Sequence, residues 1–368
     1  MKILHIINNL GSGGAEKLLE DLIPLMNESN GIKADILLLT DEKNVFSDSL
    51  IKKGVEVDII KYRNMYDPRN VLAIKKHIVN GSYDLVHSHI FPTQYWVALS
   101  RLILRKKNIK FITTEHSTHN RRREKFYLKP IDKFIYAQYD TIISITEKTK
   151  KNLLDWIDPK RKDIAKHVVI ENGVNIGKIR EALPYRKDEL VEGIDEETKL
   201  VCMVGRFSEA KDQPTLIKAM SKLSGDIHLI LVGEGPLMDK NKELVNELQI
   251  SNRVHFLGFR QDIYEILKTV DIVVLSSHWE GFGMAAVEAM AAEKPILVSN
   301  VEGLNDVVED KWLKFQPNNE NDLANKIIEL LSSHELYNSK VNYVQKRCMD
   351  FDIKQKTIEI ENLYKYWE

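Results

Sequence analysis

The stretch Ser277-His278-Trp279-Glu280-Gly281-Phe282-Gly283-Met284-Ala285-Ala286-Val287-Glu288 decides how this chain is read. An apolar run at 271–275 precedes it and helix-forming residues follow over 284–292, so the local order is strand, tight loop, helix. Glu280 falls at the loop mouth and Glu288 more than a turn inside the helix. Gly281 and Gly283 let a ligand approach the backbone and leave helix-start amides pointing outward. Working outward, Val204-Gly205-Arg206-Phe207-Ser208-Glu209-Ala210-Lys211-Asp212-Gln213-Pro214 repeats the plan. It follows an apolar run at 200–204 and precedes a helical pattern at 215–223. Arg206 and Lys211 thus flank a second strand-to-helix corner, the end of the strand at which open parallel sheets take ligands. Carboxylates accept hydrogen bonds from vicinal hydroxyls, and helix-start amides and fixed cations favour anions. The combined set suits a phosphorylated sugar.

A length of 368 residues suggests two domains at roughly 150 residues each. The 43% hydrophobic and 29% charged content is that of a globular chain with material for two cores. No apolar run approaches the ~18 to 20 residues of a membrane span. Residues 1–10 lack the apolar length and cleavage site of a secretory signal, so the expected location is cytoplasmic. Cys202 and Cys348 are too few and too differently placed for a disulfide framework and are expected as reduced thiols. His87 and His89 fall on one face of a strand. They read either as a metal pair or as a pair at the core edge or an acceptor cleft. No further ligand accompanies them in sequence, so no metal is expected. The net charge of −1 hides an asymmetry, with +8 over residues 1–175 and −9 over the remainder. Residues 101–133 hold 11 basic and 3 acidic side chains.

Apolar runs alternate with helical patterns along the chain. The first series of strands falls at 3–7, 34–39, 55–60, 85–89, 111–114, 141–145 and 168–170. The second falls at 200–204, 227–232, 254–257, 272–275 and 296–299. Short buried strands separated by helices imply parallel sheets with helices on both faces. Between the series, Glu171-Asn172-Gly173-Val174-Asn175 is turn chemistry, and the hinge is expected there. A helical pattern over 353–367 closes the chain.

Gly205, Arg206, Lys211, Glu280 and Glu288, with Asn172-Gly173-Val174 and the loop Gly11-Ser12-Gly13-Gly14-Ala15-Glu16, resemble the retaining, nucleotide-sugar-dependent glycosyltransferases of the GT-B fold, group 4. The resemblance covers nearly the whole chain. It implies an α/β protein of two doubly wound, Rossmann-like parallel-sheet domains facing across a cleft. Residues 1–175 with 350–368 would form the acceptor-binding domain, and residues 176–349 the donor-binding domain. The implied reaction moves a hexose-type sugar from a nucleotide diphosphate sugar, UDP-sugar favoured, to a glycan or lipid-linked acceptor in polysaccharide or glycolipid synthesis. It also implies retention of configuration without a metal or a cofactor beyond the nucleotide sugar as co-substrate. No Asp-x-Asp pair stands in a plausible cleft loop.

Departure of a diphosphate needs positive groups that interact more strongly as the bond breaks, and Arg206 and Lys211 are the candidates. Amides of Phe282, Gly283 and Met284 would hold a phosphate or the sugar, and Glu280 a sugar hydroxyl. The resemblance assigns Glu288 to the ribose hydroxyls. Phe259 and Arg260 are placed for the base, though Arg260 also reads as a surface charge. Gly13 and Gly14 would approach the diphosphate from the first domain. His116 matches the family's cleft histidine and joins Arg206, Lys211 and Glu280 as the catalytic set. Arg121, Arg122 and Arg123, in the basic tract 119–129, read either as a solvated loop or as an acceptor lip. Such a lip would attract a lipid-linked pyrophosphate sugar and the anionic inner face of a membrane. Nucleic acid is disfavoured, because no recognition motif accompanies the tract.

Two places depart from the family pattern. Asp306 stands where a glutamate is commoner, and 311–315 lacks the usual glycines. The rivals are a sugar-nucleotide epimerase of the same fold, a glycoside hydrolase using Glu280 and Glu288, a non-enzymatic nucleotide-sugar-binding scaffold, and a NAD-dependent oxidoreductase. The last is opposed by Glu16, whose charge would face the pyrophosphate where the dinucleotide fingerprint has glycine.

Overall fold

The computed structural model describes residues 1–104, 108–118 and 120–367 and, at Arg121 and Lys162, the backbone alone. It divides into two compact units, Met1–Gly173 with Ile353–Glu368, and Val174–Asp352. Each is built on an all-parallel sheet.

The amino-terminal unit holds β1 (Lys2–Ile7), β2 (Lys33–Leu38), β3 (Val57–Ile59), β4 (Leu85–His89), β5 (Lys110–Glu115), β6 (Thr141–Ser144) and β7 (His167–Val169), in the order β3-β2-β1-β4-β5-β6-β7. Its strands are apolar runs because both faces are covered. Ile3, Ile7, Leu85, Ile112 and Ile143 face one core. Leu4, Ile6, Val86, Phe111 and Ile142 face the other. This is the two-residue period of a strand. The last helix, Ile353–Lys365, sends Ile353, Ile360 and Tyr364 into the first of these cores. Ser29 at the end of helix Gly14–Glu28 donates to Glu361 at 2.7 Å.

The carboxyl-terminal unit holds β8 (Lys199–Val204), β9 (Ile227–Val232), β10 (Val254–Gly258), β11 (Ile272–Leu275), β12 (Ile296–Ser299) and β13 (Lys314–Phe315), in the order β10-β9-β8-β11-β12-β13. In both sheets the winding reverses beside the unit's first strand, between β1 and β4 and between β8 and β11. Ligands of such sheets bind at that reversal, beyond the carboxyl ends of the strands. Helix Thr93–Ile103 has no counterpart in the sequence reading. Its buried residues are Thr93, Gln94, Val97, Ala98 and Ser100, and Tyr95, Trp96 and Leu99 pack against the second core.

Candidate functional site

The site in the carboxyl-terminal unit begins where β8 and β11 end. After Val204 the chain makes a short turn, Glu209–Lys211, and enters helix Gln213–Met220. Asp212 caps that helix, accepting from Thr215 Oγ1 at 2.6 Å. After Leu275 the chain loops through Gly283 into helix Met284–Ala291. The two loops are stitched together. The His278 amide donates to the Ala210 carbonyl at 2.9 Å, and Ser276 Oγ to the Asp212 carbonyl at 2.7 Å. Lys211 Nζ is ion-paired with Glu280 Oε1, and Ser277 Oγ donates to the same oxygen at 2.8 Å.

The neighbouring strand ends hold this arrangement from below. The Phe207 amide donates to the Glu234 carbonyl at 3.0 Å, and the Gly233 amide to the Gly258 carbonyl at 2.8 Å, so the loops after β8, β9 and β10 interlock. Gly303, after β12, lies under Glu280. Its φ is +88°, and a Cβ there would collide with the Glu280 carbonyl. Only glycine fits that contact in that conformation without strain.

Lys211 and Glu280 therefore meet directly. Arg206 is exposed in the loop after β8, its backbone carbonyl held by Gln213 Nε2 at 3.1 Å. Phe282 is buried with its ring edge-on to Phe351 at 5.5 Å, so this side chain serves the core. Gly281 is half-buried, and Gly283, at φ +88°, caps the helix that Met284 opens. Glu288 is half-buried on that helix, one turn beyond Met284. Phe259 is exposed. Arg260 is engaged by Asp262, its Nε donating to Oδ1 at 2.7 Å, and Tyr185 donates to Asp262 Oδ2 at 2.7 Å. The Arg260 hydrogen bond holds the Asp262 carboxyl well below the usual carboxylate range.

In the amino-terminal unit, Gly13 is the extended N-cap of helix Gly14–Glu28, and no side chain caps it. Gly14 is exposed. Glu16 folds back over Gly13, and burial pushes its carboxyl up, toward the neutral form. His116 follows β5 and joins a column of rings that the sequence did not show. His5 on β1 pairs in register with His87 on β4. His5 Nδ1 lies 3.1 Å from His89 Nε2, and His89 Nδ1 lies 3.2 Å from His116 Nε2. His87 is engaged at both nitrogens, by Tyr364 Oη at 2.5 Å and Thr114 Oγ1 at 2.7 Å. Burial drives the His5 ring down to about 3 and His116 down to about 4. It holds His87 and His89 well below the ordinary histidine value, so the column is neutral. His5 supplies the third ring missing from the sequence reading. Ring nitrogens of His5, His87 and His89 lie within 4.8 Å of one another, close enough to be weighed as metal ligands. β1 carries one of these histidines and β4 the other two, and the register brings them together.

Two arginines of the basic tract point inward, whereas Lys125 is exposed. Arg122 lies over the rings of Phe91 and Tyr95, at 4.2 and 4.9 Å, with Asp132 at 3.5 Å. Arg123 pairs with Glu115 at 3.2 Å. Their side chains are 13% and 12% exposed, so the charge read as an acceptor lip is largely engaged within the unit. The Arg121 side chain and His119 lie outside the described residues. Among the described residues, no helix is long and apolar enough to cross a membrane.

Two family models match successive parts of the chain. A family model described as Glycosyltransferase Family 4 matches residues 12–178, and one described as Glycosyl transferases group 1 matches residues 185–347. The chain is 30% identical over 287 residues to the glycosyltransferase MJ1178 of Methanocaldococcus jannaschii, across 75% of this chain and 74% of that one. It is 26% identical to the UDP-Gal:alpha-D-GlcNAc-diphosphoundecaprenol alpha-1,3-galactosyltransferase of Escherichia coli, across 99% and 96%. The crystal structure of Anabaena HepE in complex with UDP and glucose superposes with a TM-score of 0.86 at 21% identity, over the whole of both chains.

Proposed function

Since this chain belongs to the GT-B glycosyltransferases of groups 1 and 4, we propose that it moves a hexose from a UDP-sugar to a lipid-linked acceptor, with retention and without a metal. The observation that carries the reading is the union of the β8 and β11 loops through the Lys211–Glu280 pair at the winding reversal. The reacting bond joins the anomeric carbon to a phosphate oxygen, and its cleavage leaves added negative charge on the diphosphate. Arg206, exposed beside the corner, and Lys211, already oriented by Glu280, meet that charge with little reorganisation. Glu280, held by Lys211 and Ser277 through one carboxylate oxygen, is assigned to a sugar hydroxyl. Amides at the start of helix Met284–Ala291 favour a phosphate, and Glu288 takes the ribose hydroxyls. Phe259 supplies an exposed ring for the base. In the amino-terminal unit, the residues assigned to substrate are Gly13 and Gly14, at the start of helix Gly14–Glu28, and His116, whose ring is neutral. The departing phosphate takes the acceptor proton.

The lipid-linked acceptor is supported by the Escherichia coli relative above, whose acceptor is a diphosphoundecaprenol sugar. UDP as the carrier is supported by that relative's donor and by the UDP bound in HepE. Screening UDP-, GDP- and ADP-sugars for thermal stabilisation, then assaying transfer to GlcNAc-diphosphoundecaprenol, tests the reading. A UDP-sugar should raise the melting temperature, because it binds the folded state, and its hexose should appear on the lipid with the anomeric configuration unchanged. Epimerised nucleotide sugar formed without acceptor would overturn the assignment.

A further inference from the structure

The rings of His5, His89 and His116 form a series in which each hydrogen bond fixes the next. A neutral imidazole has one N–H and one lone pair. The contacts His5 Nδ1 to His89 Nε2 at 3.1 Å and His89 Nδ1 to His116 Nε2 at 3.2 Å must therefore both donate in the same direction. One direction leaves a bare nitrogen at His5 Nε2 and an N–H at His116 Nδ1. The other leaves an N–H at His5 Nε2 and a bare nitrogen at His116 Nδ1. Those two atoms are the ends of the series, and both are buried without a hydrogen-bond partner among the described residues. His5 is 0% exposed within the sheet, whereas His116 is half-buried at the strand end. An unpaired N–H is the costlier group to bury, and it belongs at the end nearer the surface.

We propose that His5 and His89 are positioning residues that hold His116 as the Nδ1–H tautomer, fixing which nitrogen of the ring at the strand end carries the proton. The proposal rests on His116 belonging to the site, as in the function proposed above. Which ring nitrogen of a histidine carries the proton is set by the bond its other nitrogen makes. Here that bond is traced through two further rings to the β1 strand. A divalent metal held by His5, His87 and His89 fits less well. Both His87 nitrogens are already engaged, by Tyr364 and Thr114, and no carboxylate joins the three rings.

Two-bond nitrogen–proton correlation spectra of the full chain, labelled with nitrogen-15 at histidine, read each tautomer directly, with His116→Ala used for assignment. The expected spectrum has protonated Nδ1 and bare Nε2 at His5, His89 and His116. An Nε2–H tautomer at His116 in the unsubstituted protein overturns the proposal, and this measurement needs no variant to fold. In His5→Leu the donation to His89 is lost, and His116 should become a mixture of tautomers. There kcat should fall about tenfold or more with donor KM unchanged, since a misplaced imidazole proton is costly in catalysis. His5→Asn, with a carboxamide donor in place of Nδ1–H, should restore both. A His116 tautomer unchanged in His5→Leu would also overturn the coupling. A mixed tautomer with unaltered kcat would leave the coupling standing and remove His116 from the reaction, so the two failures are distinct. One equivalent of zinc that shifts the rings of His5, His87 and His89 together would replace the series with a metal site.

Discussion

The reversal between β8 and β11 is lined with formal charge, whereas the reversal between β1 and β4 is lined with neutral imidazoles, although both sheets are wound in the same order. In the carboxyl-terminal unit the polar groups stand in the loops after the strands: Arg206 and Lys211 past Val204, and Glu280 past Leu275. In the amino-terminal unit the polar groups stand inside the strands, at His5, His87 and His89. Desolvation there disfavours the charged form. Winding fixes where a ligand approaches. A shift of a few residues along the strand decides whether a group meets it as an ion or as a dipole.

The largest test of this contrast removes the cation from the charged reversal. Lys211→Ala should lower kcat/KM by about 2 to 4 kcal/mol, the range for a pre-aligned electrostatic group. Glu280→Gln leaves Lys211 charged but less firmly oriented and should cost less than Lys211→Ala. If Lys211 acts through its pairing with Glu280, the double variant should fall short of the sum of the two, in a double-mutant cycle of kcat/KM. Additive losses would show the pair to be two independent surface groups.

Gly303→Ala probes how firmly the charged loop is held. The new Cβ meets the Glu280 carbonyl, and φ +88° is strained for alanine. A loss of about 1 to 3 kcal/mol is expected, read as a lower urea midpoint of the carboxyl-terminal unit. A rise in donor KM should accompany it as Glu280 is displaced. A midpoint lowered with donor KM unchanged would mean that Glu280 does not touch the donor.

The charged half of this contrast was legible in sequence and the neutral half only in part, since His87, His89 and His116 stood out but His5 did not. Arg206, Lys211 and Glu280 follow apolar runs at strand-to-helix corners, so strand periodicity alone places them at the carboxyl ends. That Lys211 meets Glu280 depends on β8 and β11 being neighbours, which the doubly wound order supplies. The partners that fix them were hidden. Ser277 and Gly303 read as ordinary loop residues until the β12 loop is laid beneath Glu280. His5 was hidden more deeply, because its relation to His89 and His116 depends on the register of β1, β4 and β5. The partners of the basic tract were hidden for a related reason. Charge counting finds Arg122 and Arg123 but not Asp132 and Glu115, which engage them from elements distant in sequence.

Acidification should separate the two sheets. An unfolded histidine titrates near 6.5, whereas His5 and His116 do so at about 3 and about 4 when folded. Between those values the unfolded state binds protons that the native state does not. Stability is therefore unaffected above pH 6.5 and is lost as pH falls from there toward 4. Each such ring contributes about 1.4 kcal/mol per pH unit. Hydrogen exchange at pH 7 and pH 5, corrected for its intrinsic pH dependence, should show protection falling more in Lys2–Ile7 and Leu85–His89 than in Lys199–Val204 and Ile272–Leu275. His5→Leu should remove one proton from that slope. Equal losses in both sheets would mean that the His228–His255 pair of β9 and β10, also lowered by burial, weighs as much as the imidazole column.

The smallest effect is expected at Arg260, where the two halves of the comparison nearly meet. It stands past the end of β10, as Arg206 stands past β8, but Asp262 already engages its guanidinium. Tyr185 donates to the same carboxylate, so Asp262 keeps a partner when Arg260 is removed. The ion pair is partly exposed, with 34% and 26% of the two side chains accessible. Such pairs contribute less than about 1 kcal/mol. Arg260→Ala should therefore shift the melting temperature little and leave donor KM nearly the same for UDP- and GDP-sugars. Phe259→Ala removes the exposed neighbouring ring instead and should raise donor KM more than Arg260→Ala does. A base-dependent rise in KM for Arg260→Ala would show that the guanidinium leaves Asp262 to bind the nucleotide, and would add the end of β10 to the charged reversal as a second point of contact.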